Sequence, residues 1–303
     1  MLGSTADGLF WMSRYIERAE NTARLIETGL RMSLVRSDRA ANEWSALLAS
    51  AGIELPDTEP RAVIELLLRD RDHPSSIASC IAAGRTNARR VRTAVTREVW
   101  EAVNDFHLEA KAMLAEPVGQ RDLPDVLERI RRAGAQVRGS LHGTMLRNDI
   151  YRFARLGTHL ERADNTARIL DVKYHVLLPR EAEVNGPLDN AQWEQLLRSV
   201  HVNRAYMMTH GTEYAARPVA DFLILDRRMP RSLAFCAGQV AENLERLGEA
   251  GEAGERAEAL SSRLRGLDVE TIILDGLHEF LQGFLAENAD VADAVARNYR
   301  FVA

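Results

Sequence analysis

The sequence predicts an all-α protein, a multi-helix bundle built from an internal tandem duplication with pseudo-two-fold symmetry. Four observations predict it. The block ERAENTAR at 17–24 returns as ERADNTAR at 161–168, with Glu20 exchanged for Asp164. The stretch LLLRDRDHPSSIASC (66–80) returns as FLILDRRMPRSLAFC (222–236), so that Asp70, Arg71, Pro74, Ser76, Ala78 and Cys80 meet Asp226, Arg227, Pro230, Ser232, Ala234 and Cys236. Trp44 with Leu47 and Leu48 finds Trp193 with Leu196 and Leu197, and Asn87 finds Asn243, all in the same order, as a duplicated unit requires. The fourth observation is composition. The 303 residues are 46% hydrophobic and 27% charged but only 6% aromatic, rich in Ala, Leu, Glu and Arg, and no stretch alternates with a strand period. Two halves are expected, 1–147 and 148–303, packed as one unit with the two repeat helices as neighbours.

The elements follow in order. Ser4 and Asp7 are spaced as a capping box, and a long helix is expected over 7–36. Its core stripe is Met12, Ile16, Ala19, Ala23, Ile26 and Leu30, at helical spacing. Phe10 and Leu25 lie off that stripe, so the helix should be covered on more than one face. A short helix at 40–51 carries Trp44. Glu54 to Arg61, with Pro56 and Pro60, reads as a connection. A helix at 61–69 leads to Pro74, which suits the first turn of a helix reaching about 95. Helices over 97–115 and 124–146 complete the first half. The second opens with a helix from 148 that ends before Pro179. A loop follows over 179–190, then a repeat of the first-half plan to about 248. The run GEAGEAGE (248–255) reads as a mobile turn. Two helices fill 256–300.

Function is sought in the repeated block. At 100° per residue, Arg14, Glu17, Asn21 and Arg24 share one stripe roughly opposite the core stripe. The second copy offers Thr158, Glu161, Asn165 and Arg168. Glu20 and Asp164 stand four residues before Arg24 and Arg168, which suits i,i+4 ion pairs. Arg18 and Arg162 are expected to point to another side. Three readings stay open. The groups satisfy one another between packed helices; or they line a cleft that binds a charged ligand or peptide through guanidinium forks; or a carboxylate works as a catalytic acid or base. A second basic cluster, Arg85, Asn87, Arg89, Arg90, Arg92 and Arg97, has no equally charged counterpart in the second half. It reads as a solvated face or an anion site.

Several functions are disfavoured. The formal net charge of −5 argues against nonspecific nucleic-acid binding as the main task. No metal-ligand spacing, phosphate loop or dinucleotide fingerprint occurs, so neither metal nor cofactor is expected. Cys80 and Cys236 read as small core residues of separate halves. No apolar run reaches membrane-spanning length and the first residues lack a basic leader region, so a soluble cytoplasmic protein is expected.

The runs LFWMSRYIERAENTARLIE, LGTHLERADNTARILDVKYHVLLP and DHPSSIASCIAAGRTNARRVR resemble the bacterial alpha-E family. The resemblance implies an all-helical protein, often encoded beside or fused to a circularly permuted ATP-grasp protein, with transglutaminase-like protease genes as frequent neighbours. ATP-grasp ligases join a carboxylate to an amine through an acyl phosphate. An accessory role in peptide or amide formation is therefore implied, docking the ligase or its peptide substrate. By position, the family's motif residues are Glu17, Arg18, Asn21 and Arg24, then Glu161, Arg162, Asn165 and Arg168. Arg85, Asn87 and Arg89 match its middle basic motif. The resemblance supplies no catalytic residue, and Thr158 where the first copy has Arg14 argues against two equivalent sites. A stand-alone enzyme and a purely structural scaffold remain the alternatives.

Overall fold

The computed structural model describes residues 2–35, 44, 45, 48, 53, 59–176 and 187–301. Among these residues there are thirteen helices and no strand. They are α1 (Gly3–Val35), α2 (Pro60–Arg69), α3 (Ile77–Arg90), α4 (Arg97–Met113), α5 (Leu123–Thr144), α6 (Asp149–Val176) and α7 (Pro187–Ser199). The rest are α8 (Asn203–His210), α9 (Ala216–Ile224), α10 (Leu233–Leu247), α11 (Gly251–Gly266), α12 (Val269–Asp275) and α13 (Leu277–Asn298).

Helix α1 is the spine. Met12, Ile16, Ala19, Ala23 and Ile26 are buried as the stripe predicts, while Leu30 is half-buried. Phe10 and Leu25 are buried too, because α3, α5 and α6 enclose the helix from several sides. A helix covered this way cannot be strongly amphipathic, and its polar groups must pair with one another inside the protein. The C-terminal segment closes the start of α1, with Phe301 5.3 Å from Phe10 between ring centroids.

Local bonds recur between the two repeated stretches. Ser76 accepts from the Ser79 N–H at 3.1 Å to cap α3, and Ser232 accepts from the Phe235 N–H at 3.0 Å to cap α10. Such caps contribute about 1 kcal/mol each. The thiols of buried Cys80 and Cys236 donate to the carbonyls of Pro74 and Pro230. The Asn87 and Asn243 amides donate back to Ala83 and Gln239 one turn earlier.

Several expected boundaries move. Helix α1 begins at Gly3, so Ser4 and Asp7 lie inside it, and Asp7 pairs with Arg90 at 3.1 Å instead of capping. Pro74 sits in the turn before α3, where the Ser76 cap starts the helix three residues later than expected. That helix also stops at Arg90, short of 95. The loop placed at 179–190 gives way to α7 from Pro187, and 179–186 lie outside the described residues, as do most of the expected 40–51 helix and of the 54–61 connection. GEAGEAGE is only half a turn region: Gly248 and Glu249 take positive φ (65° and 47°), then α11 starts at Gly251. Three helices, not two, fill the end, because Gly276 at φ 107° separates α12 from α13.

Candidate functional site

The two repeat helices, α1 and α6, pack along each other, and their Glu-Arg dipeptides pair reciprocally. Arg18 donates to Glu161 through Nε (2.5 Å to Oε1) and Nη2 (3.0 Å to Oε2). Arg162 donates to Glu17 through Nε (2.9 Å to Oε1) and Nη2 (3.0 Å to Oε2). Both are two-pronged guanidinium–carboxylate pairs, the strong form of this contact. Arg18 and Arg162, expected on another side of their helices from Glu17 and Glu161, make the principal interhelical bonds. Contact on two flanks of α1 brings Arg18 onto α6, although it lies 100° from Glu17 on its own helix.

The pairs sit in unequal surroundings. Glu17 is 1% exposed and Glu20 is fully buried. Arg138 of α5 reaches both, and Arg231, from the turn before α10, lies 3.5 Å from Glu17 and 3.3 Å from Glu20. Arg24 bonds Glu20 from one turn along α1. Two carboxylates thus face four guanidinium groups, Arg24, Arg138, Arg162 and Arg231. Burial opposes ionisation of Glu17, yet Arg162, Arg138 and Arg231 together hold its carboxyl well below the usual range. Burial and the neighbouring Glu17 charge push Glu20 up, but Arg138 and Arg24 win and its carboxyl is lowered. The cations bear the surplus. Burial, then repulsion from Arg24 and Arg162, brings Arg231 down to about 9. Burial also lowers Arg24, whose Nε and Nη1 have no partner. The same carboxylate therefore lies beside one guanidinium raised in basicity, Arg138, and one lowered, Arg24. The difference follows from Arg138 sharing two carboxylates at close range.

On the other flank, Glu161 is 4% exposed and held by Arg14 (2.8 Å) and Arg18. Burial raises its carboxyl, and Arg14 and Arg18 more than offset that. Asp164 bonds Arg168 at 2.7 Å, so both expected i,i+4 pairs are present. Here the helices border a cleft of about 360 Å³, lined by Arg14, Arg18, Asn21, Glu161, Asp164, Asn165 and Arg168 together with Thr22, Leu25 and others. The stripe Arg14–Glu17–Asn21–Arg24 therefore divides: Arg14 and Asn21 face the cleft, while Glu17 and Arg24 turn into the buried knot. Both polar atoms of the buried Asn21 amide lack a partner, as does Nδ2 of Asn165.

The middle basic motif lies elsewhere. Arg85 donates to Asn104 at 2.9 Å and stacks over Trp100 beside Arg92. Asn87 is buried and turned back on α3, accepting from Arg90 at 3.2 Å, and Arg89 is exposed. None of the three lines the motif cleft. Among the described residues no cluster of His, Cys, Asp or Glu could hold a metal ion, and no helix is long and apolar enough to cross a membrane.

The knot and its neighbours give a two-stage response to acid. His159 is fully buried, accepts from Arg155, and is held well below the usual histidine range by burial and then by Arg155. His142 is lowered in the same way, to about 4. Unfolded histidines bind protons below about pH 6.5 while these cannot, so stability should fall from there downward. Glu17, Glu20 and Glu161 have depressed folded values. Their contribution is complete above about pH 4.3, the unfolded value, and is lost as pH falls further. Urea unfolding from pH 8 to 3 should show a plateau, a gentle decline and then a steep one. A flat profile between pH 7 and 5 would refute the buried neutral histidines.

The chain matches, over residues 1–299, the Alpha-E family, described as a predicted alpha-helical domain with a conserved ER motif. It is similar to Uncharacterized protein Mb2597 of Mycobacterium bovis and to Uncharacterized proteins MT2643 and Rv2567 of Mycobacterium tuberculosis. Each is 25% identical over 321 residues, covering 95% of this chain and 36% of the relative. The chain thus spans about a third of the length of these curated relatives. No solved structure matches at a significant level. With ER dipeptides at 17–18 and 161–162 paired across two helices, and a match that spans nearly its whole length, the chain belongs to the Alpha-E family.

Proposed function

We propose that the chain is an accessory binding subunit of an ATP-grasp-dependent amide- or peptide-forming system in the bacterial cytoplasm, and that the α1–α6 cleft holds the peptide substrate. One observation carries the reading. Asn21 presents an unpaired amide donor and an unpaired carbonyl acceptor beside a cleft of about 360 Å³. That pair matches the C=O and N–H of one residue of an extended peptide, which point to the same side, and leaving both atoms unpaired costs about 1–3 kcal/mol each. Asn165 adds a second free donor from the facing helix, and Arg168 and Asp164 supply charge at the rim. Glu161 is committed to Arg14 and Arg18 and is lowered in basicity, which equips it to position those arginines rather than to take up a proton. The partner in this reading is a circularly permuted ATP-grasp protein, with a transglutaminase-like protease acting on the same peptide.

The repeat belongs to the same proposal. Halves 1–147 and 148–303 arose by duplication and pack about a pseudo-two-fold axis between α1 and α6. The reciprocal ER pairs and the recurring caps, thiol bonds and Asn bonds support it. The two ER sites then diverged, one closing into the Glu17–Glu20 knot and the other opening as the cleft.

The test is ATP turnover and peptide binding by the ATP-grasp protein, with and without this chain. Wild type should raise turnover. An Asn21→Ala/Asn165→Ala variant, melting at the wild-type temperature, should lose at least about tenfold in peptide affinity. A folded wild-type chain that neither binds the ligase nor alters its turnover ends the accessory reading.

A further inference from the structure

We infer that a second cleft, between the end of α2, the turn before α3, and the faces of α3 and α4, binds a small ligand carrying an anionic oxygen group on an apolar body. Its volume is about 370 Å³, the size of a small-molecule site. Four basic side chains line it: Arg69, Arg71, His107 and Lys111. No carboxylate does. Arg69 is anchored by Glu65 and by a 3.2 Å bond to the Leu114 carbonyl, which makes it a fixed wall. Among the described residues, the side chains of Arg71, His107 and Lys111 make no hydrogen bond or ion pair, so three basic groups from two elements meet with no partner of their own. The His107 imidazole is held below its usual range by burial and then by Arg85, Lys111 and Arg71, as expected where positive charge accumulates uncompensated. The floor is apolar, with Ile81 and Leu114.

A comparison within the chain separates this cleft from a by-product of the repeat. At the same register of the second repeated stretch, Leu225 stands for Arg69 and Phe235 for Ser79. Phe235 packs onto the core and its ring lies 5.8 Å from His159. An aromatic ring therefore stands where the first stretch has the small Ser79, whose hydroxyl is tied to the Asp70 and Arg71 carbonyls at 3.2 and 3.0 Å. The second stretch keeps an arginine at 227 but lacks Arg69 and the small residue at 79. This site is separate from the motif cleft, and its fate does not depend on the peptide-binding reading.

Guanidinium and ammonium groups recognise phosphate and carboxylate alike. The full chain is titrated with orthophosphate, phenyl phosphate and phenylacetate at matched ionic strength. Calorimetry and the NMR signals of the His107 ring and the Ser79 amide are followed. Saturable binding with shifts at both residues is expected, weakened about tenfold or more in Arg71→Ala and in Lys111→Ala. Ser79→Phe, which copies the second stretch, should abolish it. Tighter phenyl phosphate than phenylacetate assigns a phosphate ester; the reverse order assigns a carboxylate. The proposal falls if none of the three probes binds saturably, or if both charge-removing variants bind as wild type does.

Discussion

Replacing Glu17 with alanine should lower the free energy of unfolding by about 3–5 kcal/mol, the cost of stranding a buried charge partner. The change leaves Arg162, 8% exposed, without its two-pronged acceptor, and removes one of two carboxylates from among four guanidinium groups. The local environment decides the size. Glu161→Ala should cost less, because Arg14 and Arg18 border a cleft and can turn towards water. Asp164→Ala removes a partly solvated i,i+4 pair and should cost within about 0.5 kcal/mol. Urea midpoints at constant slope would give the order Glu17, Glu161, Asp164. A double-mutant cycle with Arg162→Ala should show strong coupling, since each single change strands the other partner. A loss under about 1 kcal/mol for Glu17→Ala would mean that the knot is solvated rather than buried.

How far the sequence foretells this site depends on the range of each interaction. The Glu20–Arg24 and Asp164–Arg168 pairs were legible because helix geometry alone brings residues four apart together. The buried apolar stripe of α1 was legible for the same reason. The interhelical pairing of Arg18 and Arg162 was not legible because a helical wheel shows where a side chain leaves its own helix, not where the neighbouring helix lies. The third and fourth cations of the knot were missed for a related reason. Arg138 comes from α5 and Arg231 from the turn before α10, more than 100 residues from Glu20. Two signals pointed to them. Arg231 stands where the first stretch has Ser75, a charge set between the matched Pro230 and Ser232. Gly134, one turn before Arg138, sits where a Cβ would lie 2.9 Å from the Glu20 carboxylate, so its absence makes room for that group. The division of the motif stripe between cleft and knot had no local signal, since it follows from which helix covers which flank.

Gly157→Ala should destabilise the protein by about 1–3 kcal/mol, although on an isolated helix the same change is favourable by about 1 kcal/mol. The reversal has a specific cause. A Cβ at Gly157 would stand 2.2 Å from the carbonyl oxygen of Phe10 and 3.3 Å from Arg14 Cγ. The first of these is backbone of α1 and cannot rotate away, so α6 has to move off α1. Glu161 lies one turn beyond Gly157, and its bonds to Arg14 and Arg18 are 2.8 and 2.5 Å, with little slack for such a shift. The cost should therefore overlap with that of Glu161→Ala: the double variant should lose less than the two single losses combined. Gly139 on α5 supplies the control. It is exposed and a Cβ there meets nothing within 4 Å, so Gly139→Ala should gain up to about 1 kcal/mol from helix propensity alone. Equal gains at both positions would show that α1 and α6 do not approach this closely, and the interhelical Glu-Arg pairs would lose their geometric basis.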